Sequence, residues 1–349
     1  MILQIVATGA RARWLVLLFF FVALPVHGDC GPGPDGFEAW PAEESVPVAS
    51  IPRAHWYRDG HGWIIAPDRC QASDAALERQ AAVQAFRRYF DRPAPSGAIV
   101  DVGFAASMAA LTEAGVGWVL PWRFATRDAT SMGDEQVAAI RRQVEAQLTV
   151  GGAAPDPAQV DAIVQQALAA LSGADSEAGT TPLAELEPTA VRHEVAHSLF
   201  IQAIWPADES ASSQYGGGAP DWLDEAAAVA AESSAMTEAR RREFRAAAAE
   251  KRLIPLSEYF AMPHPAFADS ALGDLLERTK AAAARDGVAV MAAEMDDATL
   301  ARASRFYAQT RGLLDYLEMR AGGPTVLADI ADALRAGADI RQWLRASGA

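Results

Sequence analysis

Apolar positions along the chain change their spacing several times, and each change marks an element. Residues 53–58 and 61–66, rich in aromatic and β-branched positions, flank Asp59-Gly60, a β-hairpin signal in which His55 and His61 could face each other and bind a metal, or simply pack or meet solvent. From 73 to 91 the apolar positions Leu77, Ala81, Phe86, Tyr89 and Phe90 recur at helical spacing, and the Pro-rich stretch 93–97 ends that helix. Two short runs, 98–104 and 116–122, predict strands separated by an Ala-rich helical segment at 105–114. Helices are expected at 134–150 and 158–171, split by Gly151-Gly152 and Pro155-Asp156-Pro157. One helix then opens at Pro188 and another covers 219–232, joined by the polar, Gly-rich stretch 206–218, which has the composition of a rim or lid. The rest is helical at 237–251, 271–284, 299–321, 324–336 and 339–346, interrupted by a loop through 254–260 and 263–265. The whole predicts an α+β protein that is predominantly helical, with a small mixed sheet followed by a helical C-terminal part.

The first 28 residues fall outside that scheme. Arg11 and Arg13 precede the apolar run 14–24, and Pro25-Val26-His27-Gly28 breaks it, which reads as a signal peptide over 1–28. An uncleaved anchor is the alternative. The chain then divides into a leader 1–28, an N-terminal extension with a hairpin over 29–72, and a main domain over 73–349. Export to the periplasm or the medium makes a disulfide between Cys30 and Cys70, the chain's two cysteines, the expected pairing, with two unrelated thiols as the alternative. At 349 residues, with 51% hydrophobic content, the chain can build one large core or two modest ones. A net charge of −15 argues against nucleic acid or an anionic membrane surface as partner.

The candidate chemistry lies in His193-Glu194-Val195-Ala196-His197. On a helix, positions i and i+4 share a face, so both imidazoles can address one tetrahedral cation, while Glu194 is rotated towards a bound water. Two neutral histidines and a third protein ligand leave the fourth position of Zn2+ for a water whose pKa falls to about 7, and Glu194 can take its proton. Val191, Val195, Leu199 and Ile201 supply apolar positions behind the ligands. The helix over 219–232 offers acids at Asp221, Asp224, Glu225 and Glu232, with Glu225 placed 28 residues beyond His197.

This arrangement resembles the gluzincin metallopeptidases, in which HExxH is followed by a Trp-Leu-x-Glu helix, here Trp222-Leu223-Asp224-Glu225. The resemblance is close over 187–235 and implies a zincin-like fold, its small sheet packed above the zinc-binding helix, with an edge strand that takes up a substrate backbone; 116–122 is the candidate for that strand, core packing being the alternative and the commoner role. It implies His193, His197 and Glu225 as zinc ligands and Glu194 as general base. Asp221 and Asp224 stay open as alternative ligands, Asp224 reading better as an acid behind the ligands or at the helix cap. Ala226 stands where the family has Gly, and Glu232 matches an acid frequent in aminopeptidase-like members or is a solvated helix charge. Phe306-Tyr307-Ala308-Gln309-Thr310 is similar to the family's Tyr helix, which implies Tyr307 as the donor to the oxyanion, with His264 and Tyr316 as weaker substitutes. The metzincin pattern fails at Phe200 and Ala203, where Gly and His would stand. The family's exopeptidase amine anchor, Gly-x-Met-Glu-Asn, has no counterpart before the helix, which favours an internal peptide bond of a peptide or protein as substrate, with Glu185 or Glu187 the alternative holders of a free amine. The alternative functions are an exported zinc-binding module without turnover and a zinc hydrolase of an ester or non-peptide amide.

Overall fold

The computed structural model describes residues 2–8, 15–19, 55–104, 113–122, 187–206, 218–265, 288–294 and 297–346, with isolated positions between 110 and 164. The helices expected at 134–150, 158–171 and 271–284, Cys30 and the stretch 207–217 lie largely or wholly outside the described residues. Cys70 is not a free thiol. The described part is mostly helical with a small mixed sheet, an α+β arrangement.

Near the start of the chain, β1 (Ile2–Thr8) pairs antiparallel with β2 (Leu15–Phe19), and β1 also pairs with Val288–Glu294, a strand that the spacing of apolar residues does not single out. The four-stranded sheet begins with β3 (His55–Asp59) and β4 (Gly62–Ala66), antiparallel with Asp59 opposite Gly62. The two-residue turn is therefore Gly60-His61, one position later than the sequence suggests. Asp59 is held in the strand because its Oδ1 accepts the backbone N–H of His61 at 2.7 Å and the Arg79 guanidinium at 2.7 Å. His55 lies opposite Ala66, not His61, so the two hairpin histidines do not face one another.

Helix α1 (Arg69–Phe90) starts four residues before the apolar pattern does, because Asp68 caps it by accepting the N–H of Gln71 at 3.0 Å. Its buried face runs through Ala72, Ala76, Val83, Phe86 and Phe90. Leu77, expected on that face, is 43% exposed. Arg79, wholly buried and bonded to Asp59 and to the Trp63 carbonyl, lies on the buried face instead, a core position that an apolar pattern cannot count.

β5 (Gly97–Asp101) and β6 (Val119–Trp122) add parallel strands, giving the order β3-β4-β5-β6. β5 stops at Asp101, whose carboxylate captures the N–H groups of Gly103 and Phe124. Gly97 is required where it stands, since a Cβ there would lie 2.0 Å from the Trp118 ring. β6 forms the edge of this sheet next to α2 (Glu187–Ala203).

The helices that follow are α3 (Asp221–Ala231), α4 (Ser234–Ala249), the short α5 (Leu256–Tyr259), α6 (Asp297–Ala321), α7 (Val326–Arg335) and α8 (Ile340–Ala346). α2 buries Val191, Val195, Leu199 and Phe200 against α1 and α3, each worth about 1.5–3 kcal/mol as buried apolar area. Ile201, expected there, is only half-buried, and Phe200 takes its place in the core. Ala196, Ala228 and Ala231 meet between α2 and α3 and let the two backbones come close.

Replacing Arg79 with Ala should strand Asp59 beside an apolar core and open a cavity, lowering the unfolding free energy by about 3 kcal/mol. A urea titration followed by circular dichroism measures it, and a loss under about 1 kcal/mol would contradict the anchoring role.

Candidate metal centre

The two histidines of α2 project towards α3 from successive turns. Their Nε2 atoms stand 3.2 Å apart, and the carboxylate of Glu225 lies 3.4 Å from His193 Nε2 and 3.6 Å from His197 Nε2. One ligand atom from each of the three residues falls within 4.8 Å of the others, a group that could hold a metal ion. With metal–ligand distances of about 2.1 Å, the 3.2 and 3.4 Å separations correspond to angles of about 100–110°, close to tetrahedral.

The outer nitrogens explain which way the imidazoles face. His197 Nδ1 is 2.8 Å from Asp224 Oδ1, and His193 Nδ1 is 3.3 Å from Glu232 Oε1. An ionised carboxylate only accepts, so each Nδ1 carries a proton, and each Nε2 turns inward, where it holds either a second proton or a bare lone pair. Lone pairs 3.2 Å apart repel unless a positive charge lies between them. Glu225 points to the same need: it is 0% exposed, and neither of its oxygens has a hydrogen-bond partner. A cation among these atoms would satisfy all three side chains.

Asp224 thus stands behind this three-residue group rather than within it. Glu232 is not a solvated charge but is buried, and it is gripped by Arg240 through Nε at 3.2 Å and a terminal nitrogen at 2.9 Å. Asp221 is no ligand either; its Oδ2 accepts the backbone N–H of His264 at 2.6 Å. Both Asp221 and Asp224 sit in the first turn of α3, where the exposed N–H groups of the helix favour negative charge.

Glu194 is 4% exposed, and its Oε2 has no hydrogen-bond partner. Burial raises its carboxyl to about 7, against the pull of the two imidazoles. Burial disfavours the charged imidazoles, yet the carboxylates outweigh it, lifting His193 to about 10 through Glu225 and Glu232, and His197 to about 9 through Asp224 and Glu225. Burial likewise opposes ionisation of Glu225 and Glu232, but the imidazoles beside both, and Arg240 beside Glu232, hold each at about 2. Without a metal, protons occupy the place of the cation.

Tyr307, on α6, comes into the same group. Its ring meets the His193 ring edge-on with centroids 5.8 Å apart, and its hydroxyl lies 2.8 Å from His264 Nε2. Arg240 covers its face at 4.5 Å. The exposed Tyr316 has no comparable place. Gln309 clasps the backbone N–H and carbonyl of Ile254, each at 2.8 Å, and Tyr259 bonds Thr310 at 2.8 Å, fixing the segment that delivers His264. Arg240 escaped the sequence reading because no spacing links it to residues far off in the chain.

Comparison of the chain with protein-family models, curated proteins and solved structures finds no match.

Two outcomes follow from this geometry. Raised histidine values stabilise the metal-free fold fully below about pH 6.5, and that contribution is lost as pH rises through about 9 to 10. The lowered Glu225 and Glu232 stabilise above about pH 4.5, with loss towards about pH 2. The melting temperature in chelator should therefore peak near about pH 5–6.5 and fall towards alkaline pH, while excess zinc flattens the alkaline limb. Parallel alkaline limbs in chelator and zinc would refute the site. Asp224→Ala should weaken zinc binding about 10- to 100-fold in a competition titration with a chromophoric chelator, and unchanged affinity would deny Asp224 its orienting part.

Proposed function

We propose that the protein is an exported zinc metallopeptidase of gluzincin type with a zincin-like fold, hydrolysing internal peptide bonds of peptides or proteins. The observation that carries this reading is Glu194, a buried carboxyl with an unpartnered oxygen directly beside a three-residue metal group. A purely structural metal site needs no such base, and burying an idle carboxyl is unfavourable. Zinc, when bound, supplies Lewis acidity that acidifies water and polarises a carbonyl.

The residues of the chain divide the remaining work. His193, His197 and Glu225 hold the ion, and Asp224 and Glu232 keep the Nδ1 protons of the two imidazoles in place, so that both Nε2 atoms stay bare. Glu194, buried with an unpartnered oxygen, accepts a proton from water and returns it to the amine that leaves. Tyr307 donates its hydroxyl proton as a hydrogen bond to the oxygen that gains negative charge. His193 and Tyr307 are the part-exposed members of the group, so substrate enters from their side. The β6 edge, adjoining α2, is where an extended peptide could add as a further strand.

Glu194→Gln should keep about one zinc per chain and lose peptide cleavage by about 10²-fold or more, read on a mixed peptide library by mass spectrometry. Equal inertness of the wild type and the variant, with zinc bound to both, would turn the reading to a metal-dependent binding module.

A further inference from the structure

The proposed reaction needs Tyr307 to offer a proton, and the structure shows a second polar group competing for its hydroxyl. His264 Nε2 lies 2.8 Å from Tyr307 Oη and 3.4 Å from Glu225 Oε1. Two directions are open for the hydrogen bond. If Tyr307 donates to a bare Nε2, its only proton is consumed. The nitrogen lone pair then also faces a carboxylate oxygen, where His264 and Glu225 are both 0% exposed. That repulsion acts in a medium of low polarity, where it is largest. If Nε2 carries the hydrogen, a single N–H sits between two acceptors and both contacts become attractive. The second direction holds whether the ring is neutral or charged.

We infer that His264 is a positioning residue that donates its Nε2–H to the Tyr307 oxygen, leaving the tyrosine proton free to point to the open side of the metal group. This rests on the hydrolase reading for its use, though not for its geometry.

The surroundings fit that role. Pro263 and Pro265 flank His264, restricting the backbone on both sides. The His264 N–H is fixed to Asp221 at 2.6 Å, four residues before the ligand Glu225 on the same helix. One helix thus sets both the metal group and the loop that aims Tyr307. Arg240 over the tyrosine face and His193 at its edge restrain the ring, so the freedom that remains is the rotation of the hydroxyl hydrogen. A donor at Oη removes one of the orientations that hydrogen can take. His264 also stays outside the group of side chains that can share one ion.

The direction of the bond can be read without any turnover. In the zinc-loaded protein labelled with 15N-histidine, long-range 1H–15N spectra should show His264 with a protonated Nε2, its signal assigned through His264→Gln and displaced in Tyr307→Phe. A bare Nε2, or one shifted by direct metal coordination, would overturn the inference. The kinetic counterpart is a double-mutant cycle. His264→Ala should lower kcat about tenfold with little change in KM, and His264→Gln, which keeps an N–H, should recover most of it. In a Tyr307→Phe background, His264→Ala should change kcat no further. Equal losses in both backgrounds would show that His264 does not act through Tyr307. A wild-type protein that cleaves nothing would defeat the hydrolase reading alone, since the spectra still decide the proton's place.

Discussion

A carboxylate with no exposure and no hydrogen-bond partner cannot persist in a protein interior unless positive charge sits against it. Glu225 is that group, and much of the described structure serves to bring charge to it. Two imidazoles reach it from α2, a third from the segment that follows α5, and Asp224 and Glu232 fix the orientation of the first two. Such an arrangement is costly as an ion-pair cluster, because each acid and base has lost its water. It becomes economical when one divalent ion replaces several protons.

The packing follows from that demand. For two histidines and a glutamate on different helices to meet, α2 and α3 must run close together, and alanines at 196, 228 and 231 permit it. Closeness alone would leave the pair free to slide. Trp222 and Leu223, both buried, lock α3 into the main core beside Tyr259 and Phe306, so the register of Glu225 is set by the residues that precede it. At the other end, Glu232 leaves the helix at its C-cap and is caught by Arg240 from α4. The acid helix is thereby pinned at both ends, and its middle presents Glu225 to the two imidazoles.

Helical periodicity and the His193-x-x-x-His197 spacing made the two imidazoles legible, while Glu225 on the next helix was singled out from Asp221 and Asp224 only by the resemblance of Trp222-Leu223-Asp224-Glu225 to a family pattern. The hairpin, α1, β5 and β6 were legible too, with boundaries displaced wherever a carboxylate intervened. Asp68 extends α1, Asp101 shortens β5 and Asp59 moves the turn, each by capturing backbone N–H groups that a hydrophobic pattern does not register. Arg79 is the sharpest instance, a charged side chain wholly buried on α1 while the apolar Leu77 of the same helix is exposed. The pairing of β1 with Val288–Glu294 spans almost the whole chain, and no local signal encodes it.

Long-range polar contacts are the part that no spacing reveals, and in this centre they decide how each group presents itself. His193 and His197 are chemically alike, yet one is backed by Glu232 held on Arg240 and the other by Asp224 on the ligand helix itself. Arg240 meanwhile touches the acid behind a ligand and the face of Tyr307. A shift of α4 would therefore disturb the metal group and the tyrosine together, through one guanidinium. Gly312 shows how tightly α4 is held, since a Cβ there would lie 2.6 Å from the Phe244 ring of α4. The close crossing of α4 and α6 fixes Arg240 relative to Tyr307, just as the alanine contact fixes His193 relative to Glu225. The centre is built from two close helix crossings joined by a single arginine, and its geometry is as rigid as those crossings are.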